Sequence, residues 1–591
     1  MNEMQWDLSQ LVDSTDPSNI TKKLEEMVAE AMAMKERYKG KIGSLDAPGL
    51  FALLEARDAF SLRFEGAALY CNLMYSADTT NPVAQQLNDA MRRAGTRAGQ
   101  QLAFMDIELG RLLAAKPELV QAPELREYRH LLERIQRRVP YQLEEREEQL
   151  VMSKDQNGVE AWSQLQGDWL STRTFRITID GEEKTLPYGQ IIGLYEDPRR
   201  EVRREANRVV YSDLGKDDIL WATALRSVCA DHLQMCEWRK YPSPLTQSLI
   251  ANDVEEAAIT ALMRTMEKNV EVYRRYLRLK AKLMDLPRLG NWDIIAPLPH
   301  DPGKKFSWAE ARRSVVTAYS QFDEEFGRYA DDMYAQRHID AEVRKGKVSG
   351  AFCASWLAGK SAYVLQSFNG LMGDVYTQAH ELGHAIHAYL GSRAQRPSNY
   401  EIGSCIAECG STFGELLLTE RLLSTSGNAA EKQAVLCKVL DEFGMAAFQV
   451  SARYFFEHSL YDAIEKGKFL DGETVASLWT AARDKIYGDA VEWLPEMKWE
   501  WTMKLHYYIP NYRFYNYPYV FAQLFVFAMY RLYQEQGAAF VPKVKALLAA
   551  GSSRSPGELA KELGFDITTE EFWQKGIQQA EDFIAQLEKT L

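Results

Sequence analysis

Apolar residues recur at three- and four-residue spacing through most of this chain, with charged residues between them. That period belongs to an amphipathic α-helix with one face against a core. It predicts long helices over residues 50–78, 124–153, 198–238, 254–286 and 430–466. Helices of this kind bury their apolar stripes against one another, so the expected fold class is mostly α. Two stretches break the pattern. Residues 290–305 hold Pro297, Pro299 and Pro302 and read as loop with a short extended piece over 292–295. Residues 346–373 hold Gly346, Gly350, Gly359, Gly370 and Gly373 around the β-prone run 361–368, which reads as a hairpin or small sheet.

A chain of 591 residues exceeds one compact core, and at least two packed lobes are expected. Its 70 basic and 83 acidic side chains leave a net charge of −13, which argues against nucleic acid or an anionic membrane as partner. No apolar run is long enough to span a bilayer. Residues 1–7 lack the basic and apolar regions of a signal peptide. The seven cysteines, Cys71, Cys229, Cys236, Cys353, Cys405, Cys409 and Cys437, are odd in number and scattered, and there is no CxxC pair. Reduced thiols and a cytoplasmic location are expected. Monomer and homodimer both stay open.

The chemistry concentrates at 374–415. A helix is expected from Asp374, as N-cap, to about Gly391. Within it His380 and His384 stand one turn apart on one face, where both imidazoles reach one metal ion. Glu381 lies beside them as a base for a metal-activated water. This is the HExxH arrangement of zinc peptidases. A catalytic zinc needs a third protein ligand. His387 is excluded by geometry, since the helix rises about 10 Å between His380 and His387; it is expected beside the site or in the core. In the following segment, 401–423, Glu401, Glu408 and Glu415 recur every seven residues among small and apolar neighbours. Buried acids need a cation, and spacing alone does not choose among the three.

His380-Glu-Leu-Gly-His384-Ala-Ile-His387, followed by Ala407-Glu408-Cys-Gly-Ser-Thr-Phe-Gly-Glu415, resembles the thimet oligopeptidase family, and most closely its oligoendopeptidase F branch. The resemblance extends to 128–150, to Asn291-Trp-Asp-Ile-Ile-Ala-Pro297 and to the glycine-bounded strand. It implies a two-lobed helical fold with a deep substrate channel and a small β-sheet near the metal helix. The N-terminal helical lobe would cover 1–195 and the catalytic domain 196–591. It also implies one Zn(2+) per chain held by His380, His384 and Glu408, with Glu415 behind the ligands, and short oligopeptides as substrates cut at internal bonds.

Residues 505–533 contain eight of the chain's 29 tyrosines. Attack on a peptide carbonyl builds negative charge on its oxygen, which histidine and tyrosine donors can stabilise. The family places such donors in a segment that His506-Tyr-Tyr-Ile-Pro-Asn-Tyr-Arg-Phe-Tyr-Asn-Tyr517 resembles. His506 matches the family histidine and Tyr517 best matches the oxyanion tyrosine, with Tyr512 and Tyr515 as substrate-binding alternatives. The strand over 361–368 is expected to take substrate backbone by edge addition.

Overall fold

The computed structural model describes residues 3–299 and 303–591. Met1, Asn2 and Pro302, on which parts of the expectations above fall, lie outside them. The fold is mostly helical, as the periodicity requires. Residues 50–78 fold as the helix Ala47–Ala77, started by Asp46, whose side chain accepts from the Gly49 amide, and by a proline in the first turn. The other long stretches are interrupted for local reasons. Residues 124–153 divide into the helices Arg129–Arg138 and Glu145–Asn157, separated at Pro140, which has no amide to continue the ladder. Residues 198–238 divide into Arg200–Leu214 and Asp218–Arg239 at Gly215, where a Cβ would sit 2.4 Å from the Trp499 ring. Residues 254–286 divide into Glu256–Lys268 and Val270–Leu283. Ala429–Phe443 and Val450–Glu465 are joined by the π-helical turn Gly444–Gln449.

The strands are few. β1 (Thr174–Ile179) and β2 (Glu182–Pro187) form an antiparallel hairpin. β3 (Leu289–Gly290) pairs in parallel with β7 (Val491–Glu492). The extended piece expected over 292–295 is therefore displaced. Asn291–Asp293 is a 3-10 turn, because the buried Asp293 carboxylate accepts from the Gly290 amide and pairs with Arg200 and Arg203. β4 (Ile339–Asp340), β5 (Phe352–Trp356) and β6 (Ser361–Leu365) form a three-stranded sheet in the order β4-β6-β5.

That order corrects one expectation. β6 is the central strand, parallel to β4 and antiparallel to β5, and Ala362 through Leu365 are fully buried. It has no edge to offer a peptide; the free edge belongs to β5.

The contacts group into two compact units. The first comprises Met1–Pro140, Gly303–Thr425 and Leu532–Phe565; the second comprises Tyr141–Pro302, Ser426–Arg531 and Asp566–Leu591. Each thus draws on both sides of position 195. The first unit holds the three-stranded sheet, and Tyr363 and Leu365 of β6 pack into a cluster with Trp6, Leu24, Phe64 and Leu73. In the second, β1 packs with Val210, Trp292 and Met497.

Candidate metal centre

The helix that carries the HExxH residues is Met372–Ala394. Its N-cap is Leu371, not Asp374. Asp374 stands three residues in, and its Oδ2 accepts from the amides of Asn369 (2.7 Å) and Leu371 (3.0 Å). A carboxylate there also faces the positive end of the helix dipole. The helix runs past Gly391, which is needed for closeness rather than termination: a Cβ there would meet the Tyr400 ring at 3.3 Å.

Two other glycines place Glu408. A Cβ on Gly383 would lie 2.3 Å from the Gly410 carbonyl oxygen, and one on Gly410 2.5 Å from that of Gly383. The metal helix and the helix Cys409–Thr425 therefore cross with their backbones in contact, which is what brings Glu408 to the histidines. Segment 401–423 is not one helix. Ser404–Ala407 ends at Glu408 (φ −86°, ψ 3°), and Cys409–Thr425 follows. Glu401 precedes both helices and is exposed, so the shared face expected for Glu401, Glu408 and Glu415 is lost, and Glu401 drops out.

Glu408 Oε2 lies 3.3 Å from Nε2 of both His380 and His384. Among the described residues these three form the one His/Cys/Asp/Glu group able to hold a metal, with ligand atoms within 4.8 Å of one another. Two imidazole nitrogens and a carboxylate around one point suit a tetrahedral zinc ion with an open position. Ser411 Oγ donates to Glu408 Oε2 at 2.7 Å. Glu415 Oε1 lies 2.7 Å from His380 Nδ1, so His380 is held at both ring nitrogens.

Electrostatics agree with a cation site. Burial works against charge on His380 and Glu408, yet their mutual hydrogen bonds win. His380 is raised by Glu408 and Glu415, and Glu408 is held far below the usual carboxylate range by His380 and His384. Glu381 is 6% exposed. Burial raises its pKa, against the pull of His380 and His384. His387 is buried and pushed down to about 3 by that burial. It lines the same pocket from behind and is outside the ligand group.

The pocket over this group has a volume of about 400 Å³ and is walled on one side by Phe352, Cys353 and Ser355 of β5. The register sets which backbone groups face it. Val364 and Gln366 donate to the carbonyls of His338 and Asp340 on the β4 side, both at 2.9 Å. Tyr363 and Leu365 therefore turn to β5, opposite Ala354 and Phe352. Cys353 and Ser355, one residue out of phase, direct their N–H and C=O groups away from β6.

His506 through Tyr530 of the aromatic segment belong to the second unit. His506 lies in the 3-10 turn Leu505–Tyr508. Its ring stacks on Tyr515 at 4.4 Å and lies 5.9 Å from Tyr512. Burial, then Lys504 and Arg453, lower its pKa and favour the neutral ring. Tyr512 is 43% exposed, Tyr515 9% and Tyr517 0%. The Tyr517 hydroxyl accepts from Ser248 Oγ and Asn252 Nδ2, both at 3.2 Å. His506, Tyr512 and Tyr515 are thus brought together, while Tyr517 turns into the core, a placement at odds with its expected oxyanion role. Sequence reading missed Arg513, whose Nη2 donates to the carbonyls of His506 (2.7 Å) and Ile509 (3.0 Å) and fixes this turn. A lone arginine inside an aromatic run was the available signal.

The chain is similar to known proteins over most of its length. The sequence profile of peptidase family M3 matches residues 194–579, and that of oligopeptidase F matches 116–175. The oligopeptidase PepF of Bacillus subtilis is 26% identical over 594 residues, covering 99% of this chain and 87% of that protein. The group B oligopeptidase PepB of Streptococcus agalactiae is 26% identical over 598 residues, covering 99% and 97%. In fold, a solved protein of Chlamydophila abortus superposes with a TM-score of 0.89 at 22% identity, covering 100% of this chain and 98% of that one. The oligoendopeptidase-F of Enterococcus faecium superposes with 0.70 at 23% identity, covering 96% and 98%.

Proposed function

This chain belongs to peptidase family M3 and is a metalloendopeptidase; on that premise we propose that it is zinc-dependent and cleaves internal bonds of short oligopeptides. The observation that carries the reading is the convergence of His380, His384 and Glu408 with the buried Glu381 beside them. Those three residues would hold the ion, and Glu415 fixes the His380 ring through Nδ1. Zinc, when bound, supplies a water of lowered pKa and polarises the scissile carbonyl. Glu381 takes the proton of the attacking water and passes it to the leaving amine. Its burial, which favours the protonated carboxyl, suits the second half of that task.

The substrate backbone adds to the free edge of β5, with Cys353 and Ser355 supplying the hydrogen-bonding groups. As charge builds on the carbonyl oxygen, His506 and a tyrosine donate to it. The stacking of His506 with Tyr515 and Tyr512 favours those two over Tyr517 for that part. The relatives' names support oligopeptides as the substrate class. Seven free cysteines support a reducing, cytoplasmic setting, and no described helix is long and apolar enough to cross a membrane.

Digestion of a peptide library of mixed lengths, with and without a chelator, tests the proposal. Cleavage at internal bonds of the short members, abolished by the chelator, is expected; chelator-resistant cleavage contradicts it.

A further inference from the structure

A second cavity in the first unit has a volume of about 720 Å³ and shares no lining residue with the metal pocket. Most of its lining side chains are polar, with Ala394 the one aliphatic residue among them. Five arginines line it, Arg126, Arg129, Arg393, Arg396 and Arg554, against Glu127, Glu133 and Glu558. That is a basic site on a chain of net charge −13.

The acids do not neutralise it. Glu127 is taken by Arg396, which also reaches Glu55 at 3.1 Å. Glu133 and Glu558 face the buried His130, at 3.5 and 3.9 Å. Glu558 also accepts from the Ser555 amide at 2.8 Å, and Arg554 pairs with Glu562. Arg393 donates only to the carbonyls of Lys360 and Tyr389 and lies over the Tyr389 ring at 3.5 Å. Among the described residues Arg126 and Arg129 have no ion-pair partner, and Arg129 Nε is buried without a hydrogen-bond acceptor. Three guanidinium groups, those of Arg126, Arg129 and Arg393, thus line one cavity with no carboxylate paired to any of them. An unmet buried donor is unfavourable until an acceptor arrives.

We propose that this cavity binds a compact, multiply charged phosphate ester or polyphosphate. The guanidinium fork matches phosphate oxygens in pairs. The cavity holds more than one phosphate group, and Gln121, Gln395 and Asn399 supply amides for ester hydroxyls. No Phe, Tyr, Trp, Leu, Ile, Val or Met lines the wall to seat a nucleobase or an apolar peptide side chain.

Titration calorimetry on the zinc-loaded full chain tests this, using fructose 1,6-bisphosphate, inorganic pyrophosphate and sulfate at matched ionic strength. Saturable one-to-one binding is expected for the first two, at least about tenfold tighter than for sulfate. The double variant Arg126→Gln/Arg129→Gln and the single variant Arg393→Gln each weaken it at least about tenfold. Pyrophosphate also chelates metal, but the variants keep the metal centre, so the loss between wild type and variant isolates the cavity. Retained peptide hydrolysis shows that the variants are folded. Absence of saturable binding by both phosphates, sulfate binding as tightly, or affinity that survives both variants overturns the proposal.

Discussion

Glu415 Oε1 lies 2.7 Å from Nδ1 of His380, at the opposite ring nitrogen from the one that meets Glu408. It fixes the tautomer and orientation of an imidazole that we propose as a metal ligand. Glu415→Gln keeps an acceptor of the same size but removes the charge. Zinc affinity is expected to fall about 10- to 100-fold, read by competition with a chromogenic chelator. An unchanged affinity would show that the contact does nothing for the metal.

The tyrosines separate by what their hydroxyls touch. Tyr512→Phe is expected to lower kcat by about 10²-fold with little change in KM, the signature of a lost oxyanion donor. Tyr517→Phe removes the acceptor for Ser248 and Asn252, so it should cost about 1 kcal/mol of stability with kcat held within about twofold. Steady-state kinetics beside thermal melts decide it. A reversed pattern would restore Tyr517 to the oxyanion role.

Edge addition makes a backbone prediction. Cys353→Pro deletes an outward-facing N–H of β5 without touching the β6 ladder, a position where a strand tolerates proline. Cleavage efficiency, kcat/KM, should fall at least about tenfold with zinc retained. Wild-type kcat/KM in a folded, zinc-loaded variant would remove β5 as the peptide-binding edge.

Buried histidines set an acid limit on stability, since burial pushes His232 and His338 down to about 4 and His387 to about 3. Burial pushes His338 down to about 4, below its ordinary value of about 6.5 in the unfolded chain. The unfolded state binds the extra proton between those values, so this stabilisation is complete above about 6.5 and lost as pH falls toward 4, a total of about 3 kcal/mol. The urea midpoint should drop between pH 7.5 and pH 5, and His338→Gln should make that drop smaller by its share. An equal drop in the variant would assign the effect elsewhere.

What the sequence made legible follows the range of each interaction. The four-residue spacing of His380 and His384 is a property of one helix and could be read directly. Glu408 stands at a break between two helices, so periodicity offered Glu401 and Glu415 on equal terms, and only the family pattern chose. Gly383 and Gly410 set that choice physically, by letting two backbones touch, yet a glycine's contact partner is invisible in sequence. The strand β6 was recognisable from composition, but whether it lay at an edge depended on β4 and β5. Tyr517 aligned well and packed inward, because Ser248 and Asn252, more than 260 positions away, claimed its hydroxyl. Asp374 was rightly seen as a helix-start residue and misplaced by three positions.

The central claim, a zinc peptidase with Glu381 as its base, is tested most directly by hydrolysis of an internally quenched oligopeptide by Glu381→Gln, with zinc confirmed at one per chain. The proposed ligands His380, His384 and Glu408 are untouched, so the metal should stay while kcat falls by about 10²- to 10⁴-fold. Turnover near wild type at full zinc occupancy would contradict it.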